Sequence, residues 1–282
     1  MHSVVSCKNQ NSSSNTFNFF IKETAKTALA AVCALITSLR KEKYHRVILC
    51  YHRITQQDIG GFEKQMNYLS SECRVVKASE IFTIPFDGCK PVVAITFDDA
   101  FVSIFEKAVP VLKKCGLTAS IFVPTGSLAQ LPKWEMFDNS FDENDIVMSE
   151  KQLFELDKHG FELLSHTVSH CHLTQVDDAT LMTELSGSKL ALEKIVQHKV
   201  YGIGYPYGAY DLRVCKAAQE VGYRYGFSIE PVTIDIDTSN NMQIGRIIVT
   251  PSDSLFKFKI KVMGGYEIVS TLMAVKKKLK NR

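Results

Sequence analysis

Two short, largely apolar runs in this chain each lead into polar side chains that can bind metal or carry protons. Residues 92–95 are followed by Thr-Phe-Asp-Asp, which places carboxylates at Asp98 and Asp99, and residues 161–164 are followed closely by His166 and His170. Short apolar runs bounded by turn residues are typical of buried strands in a parallel sheet. In α/β barrels the carboxyl ends of such strands carry the catalytic side chains. The pattern therefore predicts a parallel α/β fold with these four residues at one end of its sheet.

The four side chains have the composition of a metal site with a base beside it. One aspartate and two histidines form a mixed oxygen and nitrogen ligand set, which suits first-row divalent metals and leaves positions open for water and substrate. The other aspartate is then free to act as a base. A softer site that uses the neighbouring Cys171 and His172 is rejected, because the chain has no Cys-x2-Cys spacing.

Each half of this pattern also has an ordinary structural interpretation. Adjacent aspartates after a strand are often the N-cap and the first-turn acid of the next helix. A His-x3-His pair taken alone is more often a pair of core or surface histidines than a pair of ligands. The occurrence of both patterns in one chain, each after a predicted strand, favours the functional interpretation.

Strand-like and helix-like segments alternate along the chain, as in a parallel α/β fold. We predict seven strands, at residues 47–52, 92–97, 118–123, 161–165, 201–205, 224–228 and 244–249. Helices are predicted at residues 102–115, from Ser149 to Gly160, from Asp177 to residue 197 and from Asp211 to Gly222. The chain of 282 residues is 45% hydrophobic, enough to bury one sizeable core in a single domain. Residues 126–147 are interpreted as an active-site loop.

At three motifs the chain resembles the polysaccharide deacetylases, carbohydrate esterase family 4, which remove acetyl groups from sugars. The matching segments, in family order, are Thr96-Phe97-Asp98-Asp99, His166-Thr167-Val168-Ser169-His170 and Pro206-Tyr207-Gly208. The resemblance implies a distorted (β/α)7 barrel as a single domain over residues 47–256. Residues 1–46 would form a tail and an amphipathic helix, and residues 257–282 a basic C-terminal segment.

The resemblance also assigns a role to each motif residue. Three residues would bind one divalent metal, namely Asp99, His166 and His170. Zinc is usual in the family, and cobalt, nickel or manganese can serve in such a ligand set. Asp98 would be the general base. The turn that would hold the oxyanion consists of Pro206, Tyr207 and Gly208, with the backbone N–H of Tyr207 as the donor.

The chain departs from the family pattern at three places. The position two residues before Pro206, often arginine in the family, is Gly204. The family's Asp-x-x-Asp-Trp segment is missing, since the single tryptophan is Trp134, far upstream. The late Leu-x-His, which carries the usual general acid, is also missing, because no histidine follows His198.

Family members with permuted motifs suggest replacements for two of these groups. In those members a histidine at the end of the first strand supplies the acid, and here His52 stands in Tyr-His-Arg-Ile at the end of the first predicted strand. Arg246, in the last predicted strand, would orient Asp98 in place of the missing arginine. The ordinary alternatives are a capping role for His52 and a structural salt bridge for Arg246.

Charge is concentrated at the two ends of the chain. Residues 22–46 contain six Lys or Arg against two Glu, and residues 257–282 contain eight against one. The region between is acidic, which argues against nucleic-acid binding. The apolar stretch at 27–39 is too short to span a bilayer and has no clean cleavage site after it. We expect an amphipathic helix that either packs on the barrel or contacts an anionic membrane surface.

The eight cysteines are scattered without tight pairing, which predicts buried thiols in a reducing compartment. We therefore expect a cytoplasmic protein, and the basic ends leave open whether it also attaches to the inner face of the membrane. We predict a metal-dependent hydrolase that removes N-acetyl, or O-acetyl, groups from an amino sugar in a polysaccharide or a lipid-linked saccharide. Two alternatives stay open: a catalytically inactive carbohydrate-binding relative, and a hydrolase of a non-sugar C–N bond.

Overall fold

The computed structural model describes residues 27–28, 31, 46–85, 90–134, 145–230 and 241–265. Within them the strands are β1 (Arg46–Tyr51), β2 (Arg74–Val76), β3 (Val92–Phe97), β4 (Ser120–Val123), β5 (Glu162–Ser165), β6 (Gly202–Gly204), β7 (Tyr225–Phe227) and β8 (Ile247–Ile248). The α-helices are α1 (Ile59–Glu72), α2 (Val109–Lys114), α3 (Glu150–Lys158), α4 (Asp178–Val196), α5 (Leu212–Val221) and α6 (Leu255–Val262). A π-helix spans Ile104–Ala108, and short 3-10 turns span Glu80–Phe82, Thr125–Ser127 and Pro206–Gly208.

The strands form one parallel sheet in the order β7-β6-β5-β4-β3-β1-β8, with β2 paired to the first half of β3. Backbone hydrogen bonds join the two ends of this order. The Ser228 N–H donates to the Ile244 carbonyl at 2.7 Å, and the Ile244 N–H donates to the Gly226 carbonyl at 2.8 Å. From Ile244 the chain continues into β8, which pairs with β1. Seven strands therefore curl into a closed path, which confirms the predicted α/β class and distorted (β/α)7 barrel.

Alternation along the strands divides the buried side chains into two cores. Successive residues of a strand point to opposite faces, so one set fills the barrel and the other packs under the helices. The inner core contains Ile48, Ala94, Phe122, Leu164, Phe227 and Ile244. The outer core joins sheet residues such as Leu49 and Ile95 to helix residues such as Leu69 and Leu185. Each fully buried Leu, Ile or Phe contributes about 1.5–3 kcal/mol, so both faces of the sheet are strongly specified.

The helix starts follow the capping residues that the sequence predicts. Ser149 and Gln152 form a capping box at the start of α3. The Asp177 carboxylate accepts the Thr180 N–H at 2.7 Å ahead of α4, and the Asp211 carboxylate accepts the Val214 N–H at 2.8 Å ahead of α5. These bonds satisfy N–H groups that have no partner within the helix.

Several elements differ from the prediction, among them the helices α1 and α6, where no helix was predicted. The short strand β2 was not predicted, because three residues give no apolar run to recognise. The predicted helix at 102–115 is a π-helix followed by α2, since Pro110 has no N–H to donate to the carbonyl four residues earlier. The predicted last strand at 244–249 is shorter because this segment crosses between two partners. Ile244 pairs with β7, and only β8 pairs with β1.

Several predictions concern parts of the chain at or beyond the limits of the described residues. Most of the helix predicted at 27–39 lies outside them. No helix among the described residues has the length and apolar character needed to cross a bilayer. Helix α6 extends past residue 256, and its Phe258 and Ile260 are buried. The described cysteines are free thiols, namely Cys50, Cys73, Cys115, Cys171 and Cys215.

Two adjacent glycines in the first turn of α1 give a test of how the end of the barrel is packed. A Cβ at Gly61 would overlap the carbonyl oxygen of Pro251, whereas a Cβ at Gly60 meets nothing within 4 Å. We expect Gly61→Ala to lower the free energy of unfolding by about 1–3 kcal/mol, because the backbone must move. Gly60→Ala should raise it by about 0.5–1 kcal/mol, because alanine loses less conformational entropy on folding. Urea denaturation measures both, and equal effects would contradict the packing of the Pro251 segment on α1.

Candidate active site

The predicted site residues follow four strands at one end of the barrel. Asp98 and Asp99 follow β3, His166 follows β5, His52 follows β1, and the turn at 206–208 follows β6. The carboxyl ends of parallel strands share one edge of the sheet. The fold therefore brings together side chains that lie more than 100 residues apart in the sequence.

Asp99, His166 and His170 form a buried cluster with the spacing of a metal site. Oδ1 of Asp99 lies 3.7 Å from Nε2 of His166 and 3.3 Å from Nε2 of His170. Ligands held about 2.0–2.2 Å from a tetrahedral ion are roughly 3.4 Å apart, so the two Asp99 distances fit one ion. All three ligand atoms lie within 4.8 Å of one another. Among the described residues Oδ1 of Asp99 has no hydrogen-bond partner, and a buried carboxylate oxygen needs compensation. The Asp-His-His set can therefore hold a divalent metal.

The protonation states of the cluster also fit a cation. Nδ1 of His166 lies 2.8 Å from the Gly204 carbonyl oxygen. Because a carbonyl only accepts, Nδ1 carries the hydrogen, and the unprotonated Nε2 faces Asp99 with its lone pair. Burial lowers the pKa of His166 to about 4 and that of His170 to about 2. Both rings are therefore neutral at physiological pH, the form in which histidine binds metal. Burial and the neighbouring Asp98 charge raise the pKa of Asp99 well above its ordinary value, a shift that a bound cation would reverse.

The backbone of the site is unusually strained. Four non-glycine residues in the three motifs have positive φ angles, namely Asp99 (67°), Thr167 (67°), His170 (59°) and Tyr207 (59°). A left-handed conformation costs about 1–3 kcal/mol for such residues and persists only where the surroundings impose it. These left-handed residues are therefore positions where the fold turns the backbone so that the predicted ligand atoms lie close together.

Asp98 is held by a buried arginine from the segment that closes the barrel. Nη1 and Nη2 of Arg246 donate to Oδ1 and Oδ2 of Asp98 at 2.6 and 2.9 Å. The guanidinium also donates through Nε to the Ser228 carbonyl at 2.9 Å, and its centre lies 4.6 Å from the centre of the Phe122 ring. Arg246 is 0% exposed. The bidentate contact fixes both oxygens of the carboxylate.

The charge state of Asp98 is set by two opposing effects. Burial raises its pKa, but the Arg246 guanidinium outweighs burial and holds the pKa of the carboxyl well below its ordinary value. The carboxylate is therefore ionised and can accept a proton. A second partner was not predicted from the sequence: the Cys50 thiol lies 3.4 Å from Oδ2 of Asp98.

His52 follows β1, the strand that pairs with β3, at the same end of the barrel. Burial lowers the pKa of the His52 ring, and the Asp98 carboxylate partly opposes that effect. The structure thus brings Arg246 into contact with Asp98 and places His52 at the end of the neighbouring strand, while the catalytic roles of both stay predictions.

Comparison with known proteins identifies the family. A family model described as polysaccharide deacetylase matches residues 87–226. Poly-beta-1,6-N-acetyl-D-glucosamine N-deacetylase of Staphylococcus aureus (strain MSSA476) is 30% identical over 217 residues, which cover 73% of this chain and 71% of that protein. This chain belongs to the polysaccharide deacetylase family. The predicted family and enzyme class, hydrolases acting on non-peptide C–N bonds, are confirmed.

Two solved structures have the same fold. The Streptococcus pyogenes deacetylase PplD in complex with acetate has a TM-score of 0.65 at 23% identity, covering 78% of this chain and 99% of that one. IcaB from Ammonifex degensii has a TM-score of 0.61 at 21% identity, covering 79% and 97%. All three motifs of this deacetylase lie within the family match at 87–226, whereas His52 and Arg246 lie outside it.

The deacetylase has no room for an arginine at position 204. A Cβ there would lie 2.8 Å from the Phe122 ring and 3.0 Å from Nδ1 of His166. The glycine lets the backbone carbonyl reach His166. The guanidinium that holds Asp98 must therefore come from another segment, and it comes from Arg246, directly before β8.

Glu184 of α4 holds the loop between the two predicted histidine ligands, and this role was not predicted. Its carboxylate accepts the N–H groups of Val168 and Ser169, both at 2.9 Å, and the Ser169 hydroxyl at 2.7 Å. On the other side the Gly126 N–H donates to the Val168 carbonyl at 2.8 Å. The only sequence signal is an acidic residue beside Leu181 and Leu185 on the buried face of a helix, where an unpaired carboxylate would be costly.

Aromatic rings surround His170. The Trp134 ring stacks on it with centres 4.6 Å apart, and the Tyr207 ring meets it edge-on at 4.7 Å. His172 stacks on Tyr207 at 3.9 Å. Trp134 belongs to the loop predicted at 126–147, so the described part of that loop reaches the site. These contacts fix the orientation of the His170 ring, a predicted metal ligand.

Removing Arg246 should leave the Asp98 carboxylate buried without its partner. We expect Arg246→Met to lower the free energy of unfolding by about 3–5 kcal/mol at neutral pH. The folded-state pKa of Asp98 would then lie above its unfolded value. The loss should therefore shrink as the pH falls through that raised pKa toward the ordinary carboxyl value.

Chemical denaturation across this pH range tests the ion pair. The double variant Asp98→Asn, Arg246→Met is the matched control, because it removes both charges and should recover most of the stability. A loss that is independent of pH, or no recovery in the double variant, would contradict a buried ion pair at this position.

The Glu184 contacts predict an indirect effect on metal binding. Glu184→Ala removes all three hydrogen bonds, and we expect the affinity for Co²⁺ to fall by about 10–100-fold, as for other groups that orient ligands. Glu184→Gln keeps one acceptor oxygen and should lie between Ala and wild type. Visible absorption of bound Co²⁺ measures this without any assay of activity. The exposed Glu220→Gln is the control, and unchanged Co²⁺ affinity in Glu184→Ala would exclude the positioning role.

Proposed function

We propose that this deacetylase hydrolyses N-acetyl groups on an amino sugar in a polysaccharide or a lipid-linked saccharide, with one divalent metal and zinc as the first candidate. The observation that carries the proposal is the buried Asp-His-His cluster beside an ionised Asp98 that Arg246 holds in place. A metal ligand set and a base one residue apart are what hydrolysis of an acetamide by water requires. O-acetyl groups are a second substrate class that the same chemistry admits.

Asp99, His166 and His170 would hold the metal, which when bound supplies a Lewis acid that polarises the acetyl carbonyl and acidifies a water. Asp98 accepts the proton of the attacking water. Arg246 prepares it for this step by keeping the carboxylate ionised and by fixing the direction of both oxygens. A base held in this way needs little reorganisation as the reaction proceeds.

The remaining two roles fall to His52 and to the turn at 206–208. An acetamide releases an amine, which must be protonated as the C–N bond breaks, and His52 is the nearby group that can donate that proton. The backbone N–H of Tyr207 would stabilise the negative charge that develops on the acetyl oxygen. The turn is left-handed at Tyr207 and Gly208, and the fixed φ angle of Pro206 would hold its start.

The relatives favour a glucosamine polymer as the substrate. The Staphylococcus aureus relative is named for deacetylation of poly-beta-1,6-N-acetyl-D-glucosamine. We therefore take N-acetylglucosamine polymers as the first substrates to test. We also propose a cytoplasmic location, which is supported by the free thiols of the described cysteines, Cys50 at the site included.

Release of acetate from N-acetylglucosamine oligomers, with and without chelator, tests the proposal. Asp98→Asn should retain metal but lose about 10²–10⁴-fold in rate, the usual effect of removing a general base. His166→Ala should lose metal and activity together. His52→Ala should keep the metal, lose most hydrolysis of acetamides and retain more hydrolysis of activated aryl acetates, because a good leaving group needs little protonation.

The outcomes separate the alternatives. Stoichiometric metal and oligomer binding without acetate release would identify a catalytically inactive carbohydrate-binding relative. Release of amine from non-sugar amides, without hydrolysis of acetylated sugars, would identify a different C–N hydrolase. The Glu220→Gln variant serves again as the control, since Glu220 is exposed on α5, away from the motifs.

A further inference from the structure

Two polar side chains face the interior of the barrel next to the Asp98 carboxylate and its arginine. Cys50 of β1 and Thr96 of β3 are partners in the sheet register, and both are 0% exposed. Two residues earlier on the same strands, Ile48 and Ala94 belong to the inner core. Because successive strand residues point to opposite faces, Cys50 and Thr96 also point into the barrel. Each is the last inward-facing residue of its strand.

Only one of these two side chains has a hydrogen to donate to Asp98. The hydroxyl of Thr96 donates to the Leu49 carbonyl at 2.8 Å, so it can only accept from Nη1 of Arg246, which lies 3.3 Å away. The Cys50 sulfur lies 3.4 Å from Oδ2 of Asp98, whereas its other acceptor, the carbonyl of the next residue, is 3.9 Å away. Burial raises the pKa of this thiol well above its ordinary value. The sulfur therefore keeps its hydrogen and donates it to the carboxylate.

The two oxygens of the Asp98 carboxylate are used unequally. An ionised carboxylate has about two acceptor positions on each oxygen. Oδ2 accepts from Nη2 of Arg246 at 2.9 Å and from the Cys50 thiol, so both of its positions are filled. Among the residues that the structure describes, Oδ1 accepts only from Nη1 of Arg246, at 2.6 Å. One position on Oδ1 is therefore left for an incoming proton.

We propose that Cys50 is a positioning residue that directs proton transfer to Oδ1 of Asp98. The inference rests on the proposed function, in which Asp98 is the base. In that step an O–H bond of water breaks, its proton binds Oδ1, and the water oxygen bonds to the acetyl carbon. The thiol neither gives up its proton nor meets the substrate. It occupies Oδ2 from the interior of the barrel, so that Oδ1 is the oxygen that reacts.

The alternative is that Cys50 only fills space, since a buried free thiol packs like a small apolar side chain. Valine and threonine separate the two roles, because they have nearly the same shape and differ in one hydroxyl donor. Threonine at this position keeps a donor beside Oδ2, and valine removes it. A positioning role predicts that threonine is the better replacement, whereas a packing role predicts that valine is.

Acetate release from N-acetylglucosamine oligomers by the full-length protein compares the two variants. We expect Cys50→Val to lower kcat by about 5–10-fold, because a buried Oδ2 without its donor is stabilised by leaving the productive arrangement. The KM and the affinity for Co²⁺ should be unchanged, and Cys50→Thr should retain most of kcat. The control is Cys73→Val, which removes a second buried thiol at the end of α1 and should keep the wild-type kcat.

Infrared spectroscopy tests the hydrogen bond without any assay of activity. The S–H stretching band lies where water and other protein groups absorb little, and subtraction of the Cys50→Ser spectrum isolates the Cys50 band. Asp98→Asn replaces a charged acceptor with a neutral one, so the Cys50 band should move to higher frequency. The Cys73 band, isolated in the same way with Cys73→Val, should not move. Thermal unfolding confirms that each variant is folded.

Three results would overturn the proposal. They are a wild-type kcat in Cys50→Val, equal losses in Cys50→Val and Cys50→Thr, and a Cys50 band that does not move in Asp98→Asn. A loss in Cys50→Thr with none in Cys50→Val would assign Cys50 to packing. No acetate release by the wild type would reject the proposed function and with it the role of Cys50 in proton transfer, while the shift of the infrared band would still establish the contact between the thiol and Asp98.

Discussion

The buried ion pair between Arg246 and Asp98 is the contact on which both the barrel and its chemistry depend. Taking two charges out of water is costly, and the cost is offset only when the geometry is good and the remaining donors are satisfied. Here both carboxylate oxygens are engaged, Nε of the guanidinium bonds to the Ser228 carbonyl, and its face lies on Phe122. Arg246 lies on the segment that joins β7 to β1, so one interaction ties the closure of the barrel to the ionisation of the base.

This arrangement also explains a departure of the chain from its family. Gly204 has no room for a side chain, because its carbonyl accepts the Nδ1–H of His166 and a Cβ would approach both that ring and Phe122. The glycine serves the metal half of the site by fixing which nitrogen of His166 faces Asp99. The partner of Asp98 is instead Arg246, on the segment that runs from its pairing with β7 into β8. The orientation of His166 and the orientation of Asp98 are therefore set from two different segments of the barrel.

Features that depend on neighbouring residues in the chain could mostly be predicted from the sequence, whereas contacts between residues far apart in the chain mostly could not. The strands β1 and β3 are fully buried, so they form apolar runs that can be recognised, and the motif residues follow them directly. Capping residues marked the helix starts for the same reason, since the cap and the helix are adjacent in the chain. Glu184 and Cys50 could not be assigned from the sequence, because their partners lie 15 or more residues away and only the fold brings them together. The left-handed turns at Thr167 and His170 were also hidden, because neither residue is a glycine.

The two halves of the site therefore have different origins in the chain. The predicted ligands Asp99, His166 and His170 all lie within the family match at 87–226, and so does Glu184, which holds their loop. Asp98 lies there too, but the residues predicted to assist it, His52 and Arg246, lie before and after that match. His52 follows β1 and Arg246 precedes β8, and β1 lies between β3 and β8 in the sheet. The predicted ligand cluster is thus supported by contacts within the matched region, whereas the predicted acid–base group is complete only when the ends of the barrel are joined. A change that loosens the closure at β8 should consequently reach the proton-transfer groups before it reaches the metal ligands.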